Sequence, residues 1–358
     1  MTGTSARVAA RSRGTHSVYR TVGELSGGQA RLGVATALRL PPREMIEPLR
    51  IVSYNVRYFG HALRGLASTR TGKRAIARAI ASLRPLPHIV CLQEVETTSL
   101  RSTLAFRPDR PEETQLESFM AELERAFDEL DRPFPYEAFY FRAHANRIGT
   151  TALSTMGLAV VVDTSHLRVE QHNAREPHRI THHHVRRFKD RKQARICAHL
   201  RVIDRGGRPL HVFNTHLSLP TPFAREFWTG SERMGYGVNQ LHEARTLGEF
   251  VRGQSDGEPL VVCGDFNSPP GSPVYRFLTE EAGLVGVQSA LGQIRGRPRE
   301  FPTAGFLSLR MHLDHLFCNS RVRWLDMDGT LPFGDRRNPF HGKSDHVPLI
   351  GRFEIDGA

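Results

Sequence analysis

The residues best suited to chemistry stand at the ends of short apolar runs. They occur in Ile51-Val52-Ser53-Tyr54-Asn55, Cys91-Leu92-Gln93-Glu94, Phe213-Asn214-Thr215-His216-Leu217, Gly264-Asp265-Phe266-Asn267, Leu313-Asp314-His315 and Ser344-Asp345-His346. In an α/β framework the ends of such strands form a rim where side chains are exposed to ligand. Each peptide alone has a plainer reading. Asn55 serves as a turn former, Glu94 as a surface ion-pair partner, and Asp265 with Asn267 shapes the turn before Pro269-Pro270. Brought to one rim, they are hard oxygen donors suited to a divalent cation such as Mg²⁺, which binds a few carboxylates and keeps sites for water and phosphate. A histidine paired with a carboxylate suits proton transfer or the offsetting of phosphoryl charge.

The elements that must position these residues begin near residue 50. Leu49 to Val56 and Ile89 to Val95 have the apolar, β-branched character of buried strands, and Lys73 to Leu83 between them has helical spacing, a β-α-β opening. A second helix is expected over Gln115 to Leu130, with Leu116, Phe119, Met120, Leu123, Phe127 and Leu130 as its core face. Ala194 to Ile203 and Pro209 to Leu217 flank Asp204-Arg205-Gly206-Gly207, which predicts an antiparallel hairpin. Further strands are expected at Pro259 to Cys263, Leu313 to Cys318, Val322 to Met327 and Val347 to Glu354. Parallel and antiparallel connections together imply mixed sheets covered by helices. The sequence shows no internal repeat.

The whole ordered set resembles the endonuclease/exonuclease/phosphatase family, which includes type I deoxyribonucleases, abasic-site endonucleases, neutral sphingomyelinases and inositol polyphosphate 5-phosphatases. Gly264-Asp265-Phe266-Asn267 and Ser344-Asp345-His346 are its most specific pieces. The resemblance implies an α/β fold, a four-layered sandwich of two mixed β-sheets packed face to face and flanked by helices. It implies Glu94 as principal metal carboxylate, with Asn55 and Asp345 beside the metal. Asp265 would orient or deprotonate the attacking water, and Asn267 would hold that water or a phosphate oxygen. His346, oriented by Asp314, and His216 would contact the scissile phosphate from opposite sides. Abasic-site endonucleases generally lack a histidine in the strand of His216, so that branch falls behind the others. Gly149 to Val162 is similar to the family's Gly-x-Ala-Ile-Leu-Ser strand but lacks its Arg-x-Pro continuation.

The expected function is hydrolysis of a phosphodiester or phosphomonoester by in-line attack of water, with Mg²⁺ as cofactor and Mn²⁺ as substitute. Nucleic acid leads as substrate because the net charge is +12, with much of the excess in the first 50 residues and in Arg175 to Arg201. The alternatives are a phospholipid or inositol-phosphate hydrolase of sphingomyelinase type, and an inactive binding protein of the same fold. Residues 1–48 are expected to form a basic, loosely packed arm and residues 49–356 the catalytic domain. The arm's Leu25-Ser26-Gly27-Gly28-Gln29 matches the signature peptide of ABC ATPases, but no GxxxxGK[ST] accompanies it. His182-His183-His184 is expected to lie in a solvated basic loop, because adjacent strand residues face opposite ways. Phe223 to Tyr236 is a segment with Phe227 and Trp228 that serves either packing or a stacking platform. Cys91, Cys197, Cys263 and Cys318 lie singly in apolar runs, which predicts reduced thiols. With no apolar run near the ~18 to 20 residues of a membrane span and no signal-like hydrophobic start, the expected location is cytoplasmic, without stable membrane insertion.

Overall fold

The computed structural model describes residues 47–59, 69–99, 115–148, 151–181, 194–219, 234–294, 301–306, 309–328 and 336–356. Residues 1–46 of the expected arm, the histidine triplet and Phe227 with Trp228 lie outside the described residues.

Strong alternation of inward and outward apolar residues produces strands buried on both faces. In β1 (Leu49–Asn55), Ile51 enters the cluster between the two sheets, whereas Val52 and Tyr54 join the cluster under the helices. The first sheet has the order β14 (Val322–Met327), β15 (Leu349–Ile355), β1, β2 (Ile89–Ser99), β4 (Thr151–Asp163), β3 (Tyr136–Ile148). The second has β10 (Val285–Gly286), β13 (Asp314–Cys318), β9 (Leu260–Asp265), β8 (Pro209–His216), β7 (Ile196–Asp204), β5 (Leu167–His172), with β6 (His178–Arg179) also on β7. Each holds a parallel pair among antiparallel neighbours, β1 with β2 and β8 with β9. Helices α1 (Thr69–Ala81) and α2 (Gln115–Asp128) cover the outer face of the first sheet. Helix α3 (Val238–Ser255) covers the second. The result is four layers, helix, sheet, sheet, helix, with three apolar clusters between them. No helix among the described residues is long and apolar enough to cross a membrane.

The expected elements are present, with shifted ends. Leu130 departs from expectation: α2 stops at Asp128, and Leu130 is 43% exposed in the turn that follows. Helix α3 was not anticipated, because its buried face opens with polar Gln240 and Glu243 and contains Gly248, which shortens the apolar stripe.

Two polar features brace the sheets, one between them and one within the second. Gln93 and Asn214 are both fully buried, and Gln93 Nε2 donates to Asn214 Oδ1 at 2.8 Å across the sheet interface. Asn214 Nδ2 in turn donates to the carbonyls of Leu92 (3.0 Å) and Ala159 (3.2 Å). On the second sheet, His199 Nε2 and His211 Nδ1 are 2.9 Å apart, and His211 Nε2 meets Glu258 Oε2 at 2.7 Å. Burial holds His199 down to about 4, and it lowers His211 as well.

Asn214→Ala removes the bond between the sheets from the Gln93 amide, which keeps Ser53 Oγ at 3.2 Å, and removes a donor from two buried carbonyls, at about 1–3 kcal/mol in all. Urea unfolding should show that loss, and an unchanged midpoint would contradict the bridge. The histidines set an acid limit. Below about pH 6.5 the unfolded chain takes up protons that the folded chain refuses down to about 4 at His199. Stability should therefore fall as pH drops from about 6.5 toward 4, and His199→Leu should flatten that slope in denaturant titrations at stepped pH.

Candidate functional site

The parallel pairs end side by side, and their last residues carry the polar groups. Asn55 closes β1, Glu94 lies in β2, His216 closes β8 and Asp265 closes β9. Asn55 Nδ2 donates to Asp265 Oδ2 at 3.0 Å and to Glu94 Oε1 at 3.3 Å, so one amide joins both sheets and two acids. His216 Nε2 lies 3.6 Å from Asp265 Oδ2 and 3.9 Å from Glu94 Oε1. His346 arrives from the segment before β15. Its Nδ1 donates to Asp314 Oδ2 at 2.8 Å, and its Nε2 lies 3.8 Å from Asp265 Oδ2.

Local backbone irregularities aim these groups. Between Leu92 and Val95 the pairing of β2 with β4 shifts by one residue, opposite Ala159 and Gly157. Glu94 sits in that bulge with φ 56°, which turns its side chain out of the pleat. Gly264 has φ 147°, and a Cβ there would collide with the Thr215 carbonyl, so only glycine allows β9 to approach β8 this closely. Asn267 is left-handed (φ 48°), and its N–H caps Asp265 Oδ1 at 2.9 Å. A small hairpin of β11 (Ala304–Phe306) and β12 (Leu309–Met311) braces the far side. Thr303 Oγ1 accepts the N–H of Asp314 at 3.0 Å, while its carbonyl accepts the N–H of Val347 at 2.8 Å. The Asp314 and His346 peptides are thereby held to one residue.

The two imidazoles are set in opposite states. Burial lowers His216 well below its ordinary range, helped by Arg195 and His346. Burial also works against charge on His346, but the carboxylates of Asp314 and Asp265 overcome it and hold the ring up to about 10. Desolvation raises Glu94, and it raises Asp265 together with the nearby Asp314 charge. Carboxylates thus crowd a desolvated floor, and the ligand atoms that Asn55, Glu94, Asp265 and Asp345 can offer a cation are all oxygens. That setting fits a hard divalent cation.

All eight anticipated residues, Asn55, Glu94, His216, Asp265, Asn267, Asp314, Asp345 and His346, are in described segments. Ser344 Oγ donates to the Asn55 carbonyl at 2.7 Å, which brings Asp345 to the same rim. Two cations were not anticipated. Arg57, in a left-handed turn with Tyr58 and Phe59 (φ 41°, 56° and 55°), donates to Asp345. Arg195 lines a cleft with Glu94, His216, Ala143, Gly157, Leu158 and Ile196. A second set of metal-type side chains, Glu47, His88 and His166, has ligand atoms within 4.8 Å of one another. There His88 Nδ1 accepts the Arg50 N–H at 2.9 Å, so the neutral ring carries its proton on Nε2 and has no lone pair there for a metal.

Comparison with known proteins identifies the family. Residues 52–346 match the model of the Endonuclease/Exonuclease/phosphatase family. An 88-residue stretch is 33% identical to the inositol phosphosphingolipids phospholipase C of Saccharomyces cerevisiae, covering 24% of this chain and 16% of that protein. A 62-residue stretch is 40% identical to protein angel homolog 2 of Bos taurus, covering 16% of this chain and 11% of that protein. The chain therefore aligns with less than a fifth of either curated relative. The structure of ANGEL2, a 2',3'-cyclic phosphatase, in complex with adenosine-2',3'-vanadate superposes with a TM-score of 0.58 at 19% identity, over 87% of this chain and 96% of that one. At that identity the superposition speaks for the fold alone. The match over residues 52–346, on a sandwich whose strand ends carry the site, makes this chain a member of the Endonuclease/Exonuclease/phosphatase family.

Proposed function

We propose that this protein is a phosphoesterase that uses a divalent cation, Mg²⁺ with Mn²⁺ as substitute, to hydrolyse a phosphodiester or phosphomonoester by in-line attack of water. The observation that carries the reading is the convergence of Asp265 on two imidazoles, 3.6 Å from His216 and 3.8 Å from His346, with Asp314 behind His346. We assign Asn55, Glu94 and Asp345 to hold the cation. When bound, it supplies Lewis-acid stabilisation of a phosphoryl oxygen.

The protein groups have distinct tasks. Asp265 accepts N–H groups from Asn55 and Asn267 on separate oxygens, which fixes its carboxylate to orient the water and take its proton. Asn267 spends one amide hydrogen on the Leu217 carbonyl at 2.9 Å, and its second amide hydrogen holds the water or a phosphate oxygen. His346, charged and locked by Asp314, donates from Nε2 to the scissile phosphate. Neutral His216 approaches the same phosphate from the second sheet. Arg195 in the adjacent cleft offsets charge on the phosphate or its neighbour. Charge that grows in the transition state is met by groups already in place.

A nucleic-acid phosphoester is our first substrate, supported by the net charge of +12. A phosphosphingolipid is the second, favoured by the 33% identical stretch shared with a phospholipase C. The buried, unpaired state of all four cysteines supports a reducing, cytoplasmic setting.

The test is cleavage of plasmid, single-stranded DNA, RNA, RNA with 2',3'-cyclic ends, sphingomyelin and inositol phosphates with Mg²⁺ or Mn²⁺. One class should be cleaved, and Glu94→Gln and His346→Ala should each reduce kcat/KM on it by roughly 10²–10³-fold. Asp314→Asn should cost about as much as His346→Ala, because it releases the ring's orientation. Inertness toward the whole panel by folded wild-type protein would reject the hydrolase reading. Arg195→Gln should raise KM more than it lowers kcat; a change confined to kcat would remove Arg195 from substrate binding.

A further inference from the structure

We propose that Gln240 and Glu243, at the start of α3, are positioning residues that clamp the two loops carrying His216 and Asp265 with Asn267; this rests on the assignment of those loops to the phosphoester site. Both side chains are 1% exposed, in a layer where apolar residues would pack a helix more cheaply. Gln240 Nε2 donates to the carbonyl of Ser218 at 2.7 Å and to that of Asn267 at 3.0 Å. Its Oε1 accepts the N–H groups of Gly235 (3.0 Å) and Gly237 (3.3 Å). Glu243 accepts the Ser218 N–H at 2.8 Å on one oxygen and the Ser218 hydroxyl at 2.6 Å on the other.

Helix capping accounts for little of this. A cap at the start of α3 needs only the bond to the Gly237 N–H, whereas both donors of Gln240 and the Ser218 bonds of Glu243 go to segments outside the helix. Those segments are the ones that matter. Ser218 follows His216 by two residues, and the Asn267 carbonyl belongs to a site residue. The loops are also bonded to each other, Leu217 N–H to the Asp265 carbonyl at 2.9 Å and Asn267 Nδ2 to the Leu217 carbonyl at 2.9 Å. On the opposite side His315 Nε2 donates to the Ser268 carbonyl at 2.7 Å. The Gln240 amide therefore ties the two loops together a further time from the helix side, buttressing the spacing that the β8–β9 pairing gives the neutral imidazole and the water-orienting carboxylate.

Gln240→Glu tests the clamp with almost no change of shape, since it sets an oxygen against two carbonyl oxygens. The full-length protein should be assayed on bis(p-nitrophenyl) phosphate with Mn²⁺, and hydrogen exchange should be followed by mass spectrometry without substrate. A displacement of the order of 1 Å at a reacting group costs about 10²-fold, so Gln240→Glu should lower kcat about 10- to 100-fold with KM held within about threefold. Exchange should quicken in peptides spanning 216–219 and 265–269 while β1 and β15 stay protected. Leu247→Ala, a core truncation in the same helix, should lower the melting temperature yet leave kcat near wild type. Unchanged exchange at both loops in Gln240→Glu, or wild-type kcat in its folded fraction, would overturn the proposal. If wild-type protein cleaves nothing, the hydrolase reading falls, and the exchange arm still decides the clamp.

Discussion

Everything at the site depends on two hydrogen bonds that cross between the sheets. Asn55 to Asp265 joins β1 to β9, and Gln93 to Asn214 joins β2 to β8. Apolar packing between sheets is non-directional and would tolerate a slide of one sheet over the other. Buried amides do not tolerate it, because a shift breaks bonds that no water can replace. These bonds fix the register of two parallel strand pairs, and with it the separation of groups that come from opposite ends of the chain.

Upon that fixed frame, small departures from regular strand geometry do the aiming. The bulge at Glu94 redirects that side chain, the left-handed Asn267 turns its N–H onto Asp265, and the glycine at 264 lets β9 approach β8. Left-handed backbone at non-glycine residues costs energy, and the surrounding layers must over-determine it. The three successive residues Arg57, Tyr58 and Phe59 extend the pattern, ending in the contact between Arg57 and Asp345. Strain and crowded negative charge thus fall at the same place.

The reach of sequence reasoning follows from the range of the interactions. The strand ends were legible because apolar runs that stop at Asn, Glu, His or Asp are local signals, and the six peptides all lie at one rim. The parallel pairing of β1 with β2 followed from the helical spacing between them. Arg195 and Arg57 were not legible as site residues, since an arginine in an arginine-rich chain carries no local mark of its partners. Nor was α3: Gln240 and Glu243 look like the solvent face of a helix until their loop partners are known. The glycine at 157 and the buried pair Gln93 and Asn214 have meaning only across long sequence separation.

Electrostatics and geometry meet at the proposed cation site. Burial raises Glu94 and Asp265, and His346 is held charged by its carboxylate neighbours, so the proposed cation would relieve the desolvated Glu94 carboxylate beside Asn55. The most direct measurement is anomalous diffraction from a crystal soaked in Mn²⁺. A peak is expected within coordination distance of the Glu94 carboxylate, bordered by Asn55 and Asp345. A crystal with no peak there, or with its only peak at Glu47, His88 and His166, would contradict it.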